Sequence, residues 1–169
     1  ARMKLDEYGY KKCEVFLNEW NTGIHNRGTL KDASDILSLM CGMQNTPTDM
    51  CMYYDAQIDS SYCGIFDPIK HDIFKAYYAF YVFNKLYVLQ NQNECSVYGD
   101  NCYALAASNG DKRGIVIVNN SDEEINIKLS VNELQFDTML LYRVDESYEY
   151  DVTNENCSSF VIPAYGFVH

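Results

Sequence analysis

Positive charge is scarce in this chain: 13 Lys plus Arg stand against 24 Asp plus Glu, a net charge of −11 over 169 residues. Such a surface repels phosphate backbones and anionic lipid head groups, so nucleic acid and membrane are excluded as partners. No run of about 18 apolar residues is present, which removes a membrane-spanning helix. With only 3 Pro and 9 Gly among residues that are 47% hydrophobic, the composition is that of an ordinary folded protein with a core, not of a disordered or collagen-like chain. Three histidines, and seven cysteines without a C-x-x-C pair, give no zinc pattern, so neither metal nor other cofactor is expected. An odd number of cysteines cannot all pair within one chain. They read as free, partly buried thiols of a reducing compartment, which favours a cytoplasmic location. The first residues, Ala1 to Tyr10, hold Arg2, Lys4, Asp6 and Glu7 and no signal-peptide core, but the chain opens without Met and in mid-pattern, so a longer parent's secretion is left open.

What is present divides in two. Residues 1–91 carry 11 acids and 9 bases, whereas residues 92–169 carry 13 acids and 4 bases. In the first region, residues 1–10 read as the end of a helix closed by Gly9. Cys13 to Leu17 is a short apolar run of the kind buried on both faces in parallel sheets. Thr29 and Asp32 have capping-box spacing, and Ala33, Ile36, Leu37, Met40 and Met43 then recur at helical spacing, which predicts a helix over 30–43. Met50 to Tyr54 is a second apolar strand. Asp67-Pro68 predicts a cap for a helix over 69–89, with Ile73, Phe74, Tyr77, Phe80, Tyr81 and Asn84 on its richer face. Two apolar strands joined by long crossovers indicate a parallel sheet, and two strands alone leave edges that need partners.

After residue 91 the period becomes that of strands. Runs at 97–98, 103–107, 114–118, 125–129, 138–144, 159–162 and 166–168 are separated by turn chemistry such as Asn109-Gly110 and Asp145-Glu146-Ser147. Ile125, Ile127 and Leu129 alternate with Asn126 and Lys128, as in a strand with one wet face. The pattern predicts an antiparallel β-sandwich.

The chemistry-bearing cluster is Leu17-Asn18-Glu19-Trp20-Asn21. A carboxylate one or two residues beyond a buried parallel strand lies where barrel enzymes put catalytic groups. The plainer alternative is a loop acid beside a packing Trp. The second strand ends in the same character, Tyr53-Tyr54-Asp55-Ala56-Gln57, with aromatic faces for flat apolar rings and groups that both donate and accept hydrogen bonds. Parallel neighbours deliver these ends to one mouth. His25 and Arg27, on the loop after Glu19, have either a sugar-contacting or a solvent-facing role. His71 and His169 carry no signal, and Asp122-Glu123-Glu124 reads as a solvated turn lacking the spaced oxygen ligands of a calcium site.

These residues resemble a family. The segments L-N-E-W-N at 17–21, M-Y-Y-D-A-Q at 52–57, C-G-I-F-D-P at 63–68, the aromatic helix at 76–87 and F-V-I-P-A-Y-G-F-V-H at 160–169 are similar to the C-terminal part of clan A glycoside hydrolases, near families 39 and 51. The resemblance implies the last two strand-helix units of a (β/α)8 barrel over 1–91 and an ancillary β-sandwich over 92–169. It implies retaining hydrolysis of β-linked plant-type sugars such as xylosides or arabinosides, with Glu19 as nucleophile and Asn18, Trp20, Asn21, His25, Tyr53, Tyr54, Asp55 and Gln57 as candidate substrate contacts. The acid/base partner, a Glu after Asn and before Pro in these families, is missing, since Asn132-Glu133 precedes Leu134. The expected whole is therefore a partial barrel end plus sandwich: inactive alone, partnered by an absent N-terminal barrel segment, and open to self-association through its exposed edges. The rivals are a non-catalytic carbohydrate-binding or structural β-module, and a different barrel hydrolase of inverting type.

Overall fold

The computed structural model describes residues 1–60, 62, 64–131, 139–153 and 157–169. Cys63 and the Asn132-Glu133 pair lie outside them. The chain runs α1 (Arg2–Glu7), β1 (Phe16–Trp20), α2 (Leu30–Met43), β2 (Met50–Tyr53) and α3 (Lys75–Tyr87). Eight strands follow: β3 (Asn91–Asn93), β4 (Cys102–Asn109), β5 (Lys112–Asn119), β6 (Ile125–Lys128), β7 (Leu141–Val144), β8 (Glu149–Thr153), β9 (Ser159–Ile162) and β10 (Phe167–Val168). β1 and β2 are parallel. The rest form a six-stranded antiparallel sheet, ordered β3-β4-β5-β10-β7-β8, and an antiparallel pair β6-β9. The fold is mixed α/β with an antiparallel sandwich.

Helices α2 and α3 pack on one face of the six-stranded sheet, and a single buried cluster joins them to it: Leu30, Ile36 and Leu37 of α2, Ala76, Ala79 and Val82 of α3, and Val116, Val118 and Phe167 of the sheet. The opposite face is closed by Phe160 and Ile162 of β9, against Ile117, Leu141 and Val168. Ser34 donates to the Asn119 carbonyl at 2.8 Å, a buried bond from helix to sheet that spans the compositional boundary at residue 91.

Helix α2 has the expected bounds, and the Thr29 hydroxyl accepts from the Asp32 N–H at 3.2 Å. Only half of the capping box forms, because the Asp32 carboxylate is turned to other donors. Helix α3 begins later than position 69. Asp67 caps a separate turn, accepting from the Ile69 and Lys70 N–H groups at 2.8 Å each, which holds its carboxyl below the usual range. The chain then doubles back through a Phe66–Ile73 bridge before Lys75 starts the helix. The buried face of α3 is also not the one with the largest residues. Ala76, Ala79, Val82 and Leu86 are inside, while Tyr77 and Tyr81 stand half-buried beside it, because small side chains let a helix pack closely on its neighbours. Among the later strands, 97–98 is not a strand; β3 is three polar residues with no apolar position to announce it, and β8, in which Tyr150 and Val152 alternate with polar residues, is not among the expected runs.

The first strand lies three residues further on than the apolar run, at Phe16–Trp20, so Glu19 sits inside the strand end instead of beyond it. It is not buried on both faces. Phe16 is 50% and Met50 46% exposed, so the side-chain face they share is uncovered, and β1 and β2 have no strand beside them on either edge among the described residues.

Candidate functional site

Three steps along β1, from Leu17 to Trp20, are matched by two on β2, from Cys51 to Tyr53. One extra residue is therefore taken up where Asn18 and Glu19 lie, and a bulge of this kind re-aims side chains at the end of a strand. Asn18 and Glu19 are both exposed. Trp20 turns toward the helices: its ring meets Tyr53 edge-on at 5.1 Å, and Tyr53 meets Phe80 of α3 at 4.9 Å. The Trp20 indole N–H is buried with no partner among the described residues, as is one carboxylate oxygen of Asp55. Trp20 and Tyr53 thus act first as packing residues, with their stacking faces partly taken.

The strand ends are stitched together. The Tyr54 N–H donates to the Trp20 carbonyl at 2.8 Å, the Asn21 side-chain amide donates to the Tyr54 carbonyl at 2.9 Å, and the Asn21 oxygen accepts from the Gly23 N–H at 2.8 Å. Asn21 therefore serves the backbone of the mouth. Tyr54 is 44% exposed, with its ring 6.2 Å from that of Tyr62. Asn18, Glu19, Trp20, Asn21, Tyr53, Tyr54 and Asp55 are gathered at one end of the parallel pair, whereas His25 and Gln57 stand exposed on the loops that follow.

Beneath this mouth lies a group that reads in the sequence only as a helix-capping acid. Asp32 is 1% exposed. Its carboxylate accepts from the Thr22 hydroxyl and the Gly28 N–H, and burial, the largest influence, raises its pKa above the ordinary carboxylate value. A cavity of about 380 Å³ opens on the helix side of the strands, lined by Trp20, Met43, Met50, Tyr53, Phe80 and Phe83, with Glu19 not among its walls. A second, about 420 Å³, lies at the β7–β8 turn and includes none of the expected residues. No cluster of metal-ligating side chains exists among the described residues.

No known protein family and no curated protein matches the sequence. Solved structures do. A glycoside hydrolase family 30 subfamily 8 xylanase from Clostridium acetobutylicum superposes with a TM-score of 0.75 at 14% identity, covering 95% of this chain and 42% of its own. Its fold is shared with glycoside hydrolases. A family 30 endoxylanase from Clostridium papyrosolvens C71 gives 0.69 at 15% identity, covering 99% and 44%. A glucosidase from Croceicoccus marinus gives 0.71 at 15%, covering 99% and 48%. The chain thus spans less than half the length of these neighbours. They support the glycoside hydrolase expectation at the level of fold, through family 30 and not through families 39 and 51.

Proposed function

We propose that this chain is the C-terminal portion of a retaining glycoside hydrolase, with residues 1–91 forming the last two strand-helix units of a barrel and 92–169 the ancillary sandwich. The observation that carries the reading is Glu19, an exposed carboxylate at the bulged C-terminal end of a parallel strand, beside a second strand whose end is hydrogen-bonded to it. Glu19 attacks the anomeric carbon, and a second carboxylic acid about 5 Å away, on a strand outside this chain, protonates the leaving oxygen and then activates water. Asn18, Tyr54 and Asp55, at the same end of the parallel pair as Glu19, are the proposed sugar contacts, with His25 and Gln57 on the loops that follow. Trp20 and Tyr53 shape the site from behind. The substrate class is β-linked plant-type sugar, and the 169 residues alone are inactive, since both chemical steps rely on the absent acid/base. In this reading the rest of the barrel covers the uncovered face of β1 and β2.

In a polypeptide that joins this segment to a complete barrel, Glu19→Gln should lower kcat by several orders of magnitude with the melting transition unchanged. Wild-type turnover in that variant removes Glu19 from its role.

A further inference from the structure

The loops that follow Glu19 and Tyr54 converge on one buried carboxylate. Asp32 Oδ1 accepts from the hydroxyl of Thr22, two residues beyond Trp20, and Asp32 is also bonded to the backbone of Gly28, where the same loop enters α2. Gly28 has a positive φ of 79°, and a Cβ there would lie 3.1 Å from the Phe74 ring at the start of α3, so the loop has little room to shift. On the other side of the carboxylate is Gly64. A Cβ at Gly64 would lie 2.8 Å from Asp32 Oδ2 and 2.8 Å from the Tyr53 hydroxyl, closer than side-chain carbons approach such atoms. Asp32 therefore meets the β1–α2 loop and, at Gly64, the segment leading to α3, which in turn lies close to the Tyr53 hydroxyl at the end of β2.

Two ordinary explanations fall short of this arrangement. A helix-capping acid at the third helical position turns back to the N–H of the cap residue and stays near solvent, whereas Asp32 is almost fully buried. A surface ion pair would engage a lysine, but Lys31 pairs with Asp35 at 2.8 Å. Burying an ionisable group costs free energy unless it is well bonded. That cost is placed where it fixes the position of the mouth.

We propose that Asp32 is a positioning residue for the Glu19 site, fixing through Thr22, Gly28 and Gly64 the two loops that frame the nucleophile. It touches no substrate. The inference rests on Glu19 being the nucleophile. Its effect falls on the geometry of the reacting groups, where displacement on the order of 1 Å costs up to about a hundredfold in rate.

The test uses the same barrel-containing polypeptide and compares Asp32→Asn, Thr22→Val, Thr22→Ser and Asp35→Asn, with Glu19→Gln in parallel. Thr22→Val removes one donor and carries the test even where Asp32→Asn does not fold. It should lower kcat by about tenfold or more with KM within about twofold, the signature of lost alignment and not of lost binding. Thr22→Ser, which restores the hydroxyl, should return kcat to the wild-type value, and Asp35→Asn should leave it unchanged. In the 169-residue chain, emission of its single tryptophan, Trp20, should shift to the red in Thr22→Val and not in Thr22→Ser. If Glu19→Gln is inactive while Thr22→Val turns over as wild type, the positioning role is overturned and the reading of Glu19 stands. If Glu19→Gln retains turnover, both fall.

Discussion

The parallel pair β1–β2 and the six-stranded antiparallel sheet are built of similarly apolar residues and have opposite fates. In the large sheet Val116, Val118, Val144 and Phe167 have no exposed surface, because helices cover one face and β6–β9 the other. In the pair, Phe16, Leu17, Met50 and Met52 are each more than 40% exposed. Burial of apolar area is the main favourable contribution to folding, so the stability of this chain resides in the sandwich and its two helices, and the candidate chemistry resides on the part that contributes least to it. A mouth assembled from strand ends and loops can vary its chemistry while the core beside it stays fixed.

The comparison breaks most severely at Phe167. This ring is fully buried where helices and sheet meet, and Phe167→Ala should cost about 3–5 kcal/mol, measured by denaturant unfolding. A loss below about 1 kcal/mol would place the core elsewhere. Next is a pH effect at the same sheet. His169 lies beside Tyr150, whose hydroxyl is 2.9 Å from His169 Nδ1, and burial, with Lys85 adding to it, pushes the imidazole pKa down to about 4. The folded state therefore holds His169 neutral while the unfolded chain takes up a proton below its ordinary value of 6.5. Its contribution is full above that pH and is lost as pH falls toward 4, by at most about 3 kcal/mol. In His169→Asn, stability between pH 6.5 and 4.5 should fall less steeply than in wild type, and equal slopes would remove the histidine from the account. The smallest effect belongs to the parallel pair. Phe16→Thr and Met52→Thr, both at exposed strand positions, should each change stability by less than about 0.5 kcal/mol, while lowering any tendency of the chain to associate, as read by light scattering. A large stability loss there would mean that the pair carries more of the fold than its exposure implies.

Much of this was legible in the residues. Apolar periodicity and Thr29 set the bounds of α2, because one helix face must be buried and the first N–H groups need an acceptor. Alternation and Asn-Gly turn chemistry located β4, β5 and β6, and the L-N-E-W-N segment pointed to the end of β1. Other features depended on distant packing. The inner face of α3 is its alanine face, not its aromatic one, and this follows only from how closely α2 and the sheet lie against it. The bulge at Asn18–Glu19 exists because β2 offers one residue fewer in the register, which residues 17–21 cannot disclose.

The sequence by itself determined the classes of element, the acidic surface and the candidate nucleophile, since each depends on residue type and near-neighbour spacing. Tertiary structure alone decided that Trp20 and Tyr53 spend their rings on packing, that Asn21 holds the mouth's backbone, and that the Asp32 carboxylate turns from its helix cap to the β1–α2 loop and to Gly64. Those roles depend on which groups meet across the fold, and a buried carboxylate is written with the same letter as a solvated one.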